Sequence, residues 1–433
     1  MKSEKSPSLN REGQGGSFGQ CESLLFELLR AELWGTSLSF SQLSHNEFEE
    51  LMEMAGEQTV TGLVGDSLIK NGVKLEREDA LGLYAKMKVI EKANARVNEN
   101  LVSFVNFMER KEIDYIIVKG QVAGSIYPNP NARMSGDVDL YFVGDNYTKI
   151  KGLVEQRLGK QLSKLSDGKH VEFEVNGVIF ELHNKLSRLA TRKHQEYWDQ
   201  MIDNAILKGT DTVNINGKDI KTLSATYNAM YIFVHLFYHM TASGVGLRQL
   251  CDWAMVLSNN VNKTHPNPPC LGRELKDPPQ PSLFREGVNT ADNMEKCNNL
   301  SSLNREDLGG SLKELGYLKA YKAMGAFLVE YLGLPEEQFP LTLDEKDRKW
   351  VETIKKNILK RGNFGRSGRK VKKIGVLHSI ETGYLNMVQT LTFYRLAPKE
   401  VLLRFTSLGE WFLERFKIKR RRPTQRPTPT LPV

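Results

Sequence analysis

The stretch Arg133-Met134-Ser135-Gly136-Asp137-Val138-Asp139-Leu140-Tyr141-Phe142 decides how this chain is read. Val138 to Val143 is a short apolar and aromatic run, which predicts a strand. Alternate side chains of a strand share a face, so Asp137 and Asp139 project the same way, with Cα atoms roughly 6–7 Å apart. Two carboxylates that close repel unless a cation neutralises them, and an all-oxygen site suits Mg²⁺ or Mn²⁺. Gly136 has no side chain to hold a phosphate away from the backbone. An isolated Asp-x-Asp is equally at home on a solvated edge strand, so its surroundings decide.

Upstream, Asp114 to Gly120 is a β-branched run closed by glycine, hence a buried strand, and Gln121 to Tyr127 follows as the start of a helix. A glycine at such a turn leaves free backbone N–H groups where a phosphate can bind, and Lys119 adds a point charge. Downstream, His170 to Val175 and Val178 to His183 alternate polar and apolar residues around Asn176-Gly177. That pair signals a two-residue hairpin loop, because both central residues need positive φ. The loop pairs Val175 with Val178, Phe173 with Phe180 and Glu172 with Glu181. One face then carries His170, Glu172, Glu174, Ile179, Glu181 and His183. Directly opposed glutamates repel, which is consistent with a cation above them or with a hydrated hairpin face.

Around these strands the periodicity is helical. Glu22 to Leu33, Phe48 to Ala55 and Leu81 to Met108 predict an N-terminal helical region over 21–110, followed by the β-containing core over 111–222. Helical spacing returns in Tyr227–Met240 and Leu247–Leu257, giving a C-terminal helical domain over 223–258 and 311–414. Residues 1–20 and 259–310 are polar and rich in Pro, Asn and Gly. They share near-repeats: Ser8-Leu9-Asn10-Arg11-Glu12 recurs as Ser302-Leu303-Asn304-Arg305-Glu306, with a partial copy at Ser282 to Gly287. So few apolar residues cannot offset the entropy of ordering, which predicts a disordered tail and a disordered insert. Residues 415–433 read as a basic, Pro-rich tail.

Taken together, Lys119-Gly120, Tyr127-Pro128, Arg133 and Gly136-Asp137-Val138-Asp139 resemble the uncharacterised nucleotidyltransferase family of the DNA polymerase beta superfamily. Its members are often encoded near bacterial cell-surface polysaccharide genes. The resemblance spans Glu22 to Ser258 and resumes over Ser311 to Gly365, including Gly362-Asn363-Phe364-Gly365. This chain departs from the wider superfamily in carrying Lys-Gly where many members have Gly-Gly or Gly-Ser. The resemblance implies an α+β fold with a small mixed sheet flanked by helical regions. It also implies two-metal transfer of a nucleoside monophosphate from an NTP, ATP first, to a hydroxyl-bearing acceptor. Asp137, Asp139 and a third acid would hold Mg²⁺ or Mn²⁺. The resemblance favours Glu181 as that acid, with Glu172 in reserve. Lys119, Gly120, Arg133, Gly136 and His183 are expected around the nucleotide. His239, Arg248 and Asp252 join them from a helical region that closes over nucleotide or acceptor. Without the resemblance, His235 with His239 and Arg248 with Asp252 read as i, i+4 pairs of a polar seam. They lack the third ligand and the His-Glu-x-x-His pattern of a zinc site. A catalytically silent or antitoxin-like binding module is the competing reading. Approach of Glu172 or Glu181 to the two aspartates separates the two.

Composition narrows the field. Lys360 to Lys373 and Arg415 to Arg426 each carry seven basic residues, and without them the net charge of +8 becomes −6. Basicity is thus confined to two C-terminal patches, and nucleic-acid binding through Lys360–Lys373 is a third, less favoured reading. The four cysteines lack Cys-x-x-Cys spacing, so reduced thiols are expected. No apolar run approaches the roughly 18–20 residues of a membrane span, and Met1 to Gln20 has no secretory apolar stretch. A cytoplasmic location is therefore expected.

Overall fold

The computed structural model describes residues 17–162, 170–264, 305–365, 367 and 376–402. Four helices come first: α1 (Ser17–Trp34), α2 (His45–Glu57), α3 (Thr61–Lys70) and the long α4 (Arg77–Arg110). Ser44 and Glu47 form a capping box that starts α2. The β-containing part follows, with β1 (Ile116–Val118), α5 (Gly120–Gly124), β2 (Val138–Tyr141) and α6 (Asn146–Leu158). Next come β3 (His170–Val175), β4 (Val178–His183), α7 (Arg192–Lys208), β5 (Asp211–Ile215) and β6 (Lys218–Thr222). The remaining helices are α8 (Ala225–Ala242), α9 (Leu247–Thr264), α10 (Arg305–Glu314), α11 (Leu318–Leu332), α12 (Glu345–Arg348), α13 (Val351–Arg361) and α14 (Val376–Phe393).

The six strands form one mixed sheet in the order β3-β4-β2-β1-β6-β5. The fold class is therefore the expected α+β arrangement. The hairpin register also matches expectation, pairing Val175 with Val178 and Glu172 with Glu181. Asn176 and Gly177 have φ of 52° and 73°, as the loop requires. A second Asn-Gly loop, Asn216-Gly217, joins β5 to β6. That hairpin adds an edge to the sheet that the sequence reading does not anticipate.

Each face of the sheet has its own core. Ile117, Val138, Leu140, Phe173 and Phe180 pack under Leu101, Val105 and Met108 of α4 and Ile150 and Val154 of α6. Ile116, Val118 and Tyr141 face a larger core that joins α1 to α3 with α8, α9, α11 and α13. Helices from both ends of the chain thus share one interior above the strand that carries Asp139. Among the described residues no helix is long and apolar enough to cross a membrane.

Helical order reaches into segments expected as tail and insert. α1 begins at Ser17, α9 continues to Thr264 and α10 starts at Arg305. Burial explains two of these, since Cys21 of α1 and Leu308 of α10 lie in the core. The rest of 1–20 and 259–310, half of Lys360–Lys373 and all of 415–433 lie outside the described residues. Cys21 and Cys251 are buried free thiols, while Cys270 and Cys297 fall outside the description.

The N-terminal helices brace the loop that leads into β2. A Cβ at Gly62 of α3 would stand 2.0 Å from the Ala132 carbonyl oxygen, so only glycine lets helix and loop meet. Asn94 of α4 donates to the carbonyls of Asn131 (2.7 Å) and Arg133 (2.9 Å). Asp66 of α3 accepts from Asn129 at 2.9 Å and pairs with Lys70 at 2.5 Å. Lys70 also reaches Glu32, 3.0 Å away.

Burial, then Asp66, pushes the Glu32 carboxyl up to about 7. A carboxyl whose folded pKa is raised contributes full stability below its unfolded value, about 4.3. That contribution is lost as pH rises through about 7. Lys70 is half exposed and screens the effect. Glu32→Gln is therefore expected to gain roughly 1–2 kcal/mol relative to wild type between about pH 5 and pH 8. Urea denaturation of both proteins at each pH checks this, and a constant difference contradicts it.

Candidate active site

β1 and β2 run antiparallel with Val118 opposite Asp139, while β2 and β4 run parallel with Asp139 opposite Glu181. This register sets Asp139 beside Glu181 on adjacent strands, with Lys119 following directly on the end of β1. Asp137, one residue before β2, projects beside them. Ligand oxygens of Asp137, Asp139 and Glu181 all lie within 4.8 Å of one another. Glu172 lies one strand further from β2, opposite Glu181, and is exposed. The three clustered carboxylates are an all-oxygen donor set, which fits a hard divalent cation such as Mg²⁺ or Mn²⁺.

Asp139 is buried and already partnered. Its Oδ1 accepts from the Lys119 ammonium at 2.6 Å and from His183 Nε2 at 2.9 Å. His183 Nε2 is also 3.1 Å from Glu181 Oε2, and His170 Nε2 is 3.6 Å from the same oxygen. Burial alone would raise the Asp139 pKa, but the Lys119 and His183 contacts outweigh it and hold this carboxyl below its usual range. Burial opposes charge on His183 as well, yet Asp139 and Glu181 raise its pKa. Glu181 moves upward, through burial and the nearby aspartates, although His183 pulls the other way.

The Lys119-Gly120 turn is unusual. Lys119 has φ 59° and ψ −123°, a region natural to glycine and strained for lysine. Gly120 lies flat against the Asp137 carbonyl, where a Cβ would stand 3.4 Å away. α5 is only five residues long. The phosphate grip expected from a helix start therefore rests on a single turn, and the Lys119 ammonium points at Asp139.

Residues 44–267, just over half of the chain, match the family described as uncharacterised nucleotidyltransferase. The chain belongs to this family. Membership carries general nucleotidyl transfer and a nucleotide substrate. The crystal structure of an antigenic nucleotidyltransferase-like protein from Paracoccidioides brasiliensis is also similar, at 15% identity. It covers 38% of this chain and 75% of its own, with a TM-score of 0.25. No curated protein matches.

Within this family member the outer candidates fall into two groups. Arg133 and Asp252 hold each other: Nε and Nη2 donate to the two carboxylate oxygens, each at 2.7 Å, and Tyr127 donates to Asp252 at 2.8 Å. Asp252 thus pairs across the fold, and the helix pair with Arg248 does not form. A buried bidentate partner on Arg133 outcompetes a flexible i, i+4 contact. Arg248 donates to the Met134 carbonyl at 3.0 Å and makes no ion pair among the described residues. Burial and the nearby Arg133 lower its pKa. Its guanidinium is 3.5 Å from where a Cβ on Gly136 would be, at the mouth of the carboxylate cluster.

His235 and His239 extend the cluster on the other side. His235 lies 3.4 Å from the Lys119 ammonium, and His239 Nε2 lies 3.1 Å from His235 Nε2. The His239 ring meets Phe364 edge to face at 5.0 Å. The structure therefore gathers Asp137, Asp139, Glu181, His183 and Lys119, flanks them with Gly120, Gly136, Arg248 and His239, and ties Arg133 to Asp252 behind them. His170, His235 and Tyr231, whose ring lies 5.6 Å from the Lys119 ammonium, complete the surroundings. The first two were visible as members of a hairpin face and an i, i+4 pair. Tyr231 carried no local signal.

Proposed function

We propose that the protein moves a nucleoside monophosphate from an NTP, with ATP the first candidate, to a hydroxyl-bearing acceptor. One observation carries this reading: three carboxylates from neighbouring strands converge within 4.8 Å beside a glycine turn. Asp137, Asp139 and Glu181 would hold the divalent ion, which when bound neutralises phosphate charge and acidifies the acceptor hydroxyl. The acceptor oxygen forms a bond to the α-phosphorus as the bond to the leaving pyrophosphate breaks. Glu181, its proton affinity raised by burial, takes the acceptor proton. Arg248 lies over Gly136 without a carboxylate of its own among the described residues, a placement suited to the phosphate chain. Arg133 and Asp252 position the loop that presents Asp137.

Approach of Glu181 to the aspartate pair favours catalysis over a silent binding module. The test is incubation with each labelled NTP, Mg²⁺ and cell extract, comparing wild type with Asp137→Ala/Asp139→Ala. Wild type alone is expected to label an acceptor, and EDTA should stop it. Equal labelling by both proteins would sink the proposal.

A further inference from the structure

The family resemblance implies two ions held by Asp137 and Asp139, about 3.5–4 Å apart. A carboxylate bridging two ions must offer an oxygen to each. Here Asp139 Oδ1 already accepts two hydrogen bonds, from Lys119 and from His183. A carboxylate oxygen has about two lone-pair positions, so these contacts fill it.

We propose that this site takes one divalent ion, with the Lys119 ammonium standing in place of the second. The inference rests on the nucleotidyl-transfer reading for its chemistry but concerns only the ion count. The setting of Lys119 supports it independently. The side chain is only 14% exposed, and its ammonium is wedged among Asp139, the His235 ring and the Tyr231 ring. The backbone is pinned as well, because the Lys119 carbonyl accepts from the Ala123 N–H at 2.9 Å. At φ 59° glycine would be the relaxed choice, and a lysine there is strained. The turn thus gives up backbone ease for a fixed positive charge on the central carboxylate. An ammonium so placed keeps Asp139 aimed at the remaining ion and lessens repulsion before that ion arrives.

Mn²⁺ titration of the full chain, followed by electron paramagnetic resonance, counts the ions without any turnover. Wild type is expected to bind one Mn²⁺ in the cluster, with a spectrum free of exchange coupling, and Asp137→Ala should lose it. Lys119→Gly removes the ammonium while suiting the positive φ; it leaves buried Asp139 with His183 alone, so it should melt below wild type without Mn²⁺ and recover when Mn²⁺ is added. It is expected to bind a second Mn²⁺ and show the exchange-coupled signal of a close pair. Lys119→Asn, whose residue also tolerates positive φ, repeats the test should the glycine variant fold poorly. A coupled pair in wild type overturns the proposal, as does no cluster ion in wild type or a single ion in both Lys119 variants. Failure of the nucleotidyl-transfer reading looks different: wild type would label no acceptor although its ion count stays at one.

Discussion

Glu181→Gln is expected to slow nucleotidyl transfer by about 10²–10⁴-fold, while Glu172→Gln leaves the rate at the wild-type level. The two glutamates face each other across the β3–β4 hairpin, so sequence alone treats them alike. Sheet order separates them. β4, not β3, lies against β2, and this puts Glu181 directly opposite Asp139. Glutamine keeps the size of the side chain and part of its hydrogen bonding to His183. It removes the charge that would hold a divalent ion and the site proposed to take the acceptor proton. Single-turnover rates with the labelled nucleotide measure the difference, and equal losses in the two variants would remove Glu181 from its assigned role.

Asp252→Ala should lower stability by about 3–5 kcal/mol, because it strands a buried guanidinium. Arg133 would lose both carboxylate bonds, and Tyr127 would lose its acceptor. The neighbouring Arg248 carries the same charge and adds to the penalty. Removing both charges together, as in Arg133→Met/Asp252→Leu, should recover most of the loss while leaving the loop before Asp137 less well held. The double variant would then fold but transfer slowly. Urea denaturation gives the stabilities, and a loss below about 1 kcal/mol for Asp252→Ala would place this pair with the weak surface ion pairs.

Legibility followed the range of the interaction. The Asn176-Gly177 hairpin was readable to the residue because turn chemistry and alternation are local. Its counterpart at Asn216-Gly217 carries the same turn signal, but its flanks, Asp211–Ile215 and Lys218–Thr222, are short and polar and hide the alternation. The aspartate pair was legible for the same local reason. Sheet order was not, so Glu181 and Glu172 could be told apart before the fold was known only by resemblance. The partner of Asp252 was misjudged because an i, i+4 neighbour is visible in sequence, whereas Arg133 lies 119 residues away. In sequence, Lys119 is a point charge beside a phosphate-binding turn. Nothing in a Lys-Gly pair announces that the lysine itself takes the positive φ and turns its ammonium onto Asp139.

The central claim is that a monophosphate, not the terminal phosphoryl group, moves to the acceptor. Parallel reactions with α-labelled and γ-labelled NTP, Mg²⁺ and cell extract test it most directly. The account predicts that α label stays on the acceptor while γ label leaves as pyrophosphate, in wild type and not in Asp137→Ala/Asp139→Ala. Label carried to the acceptor from the γ position, or α transfer undiminished in the double variant, would contradict it.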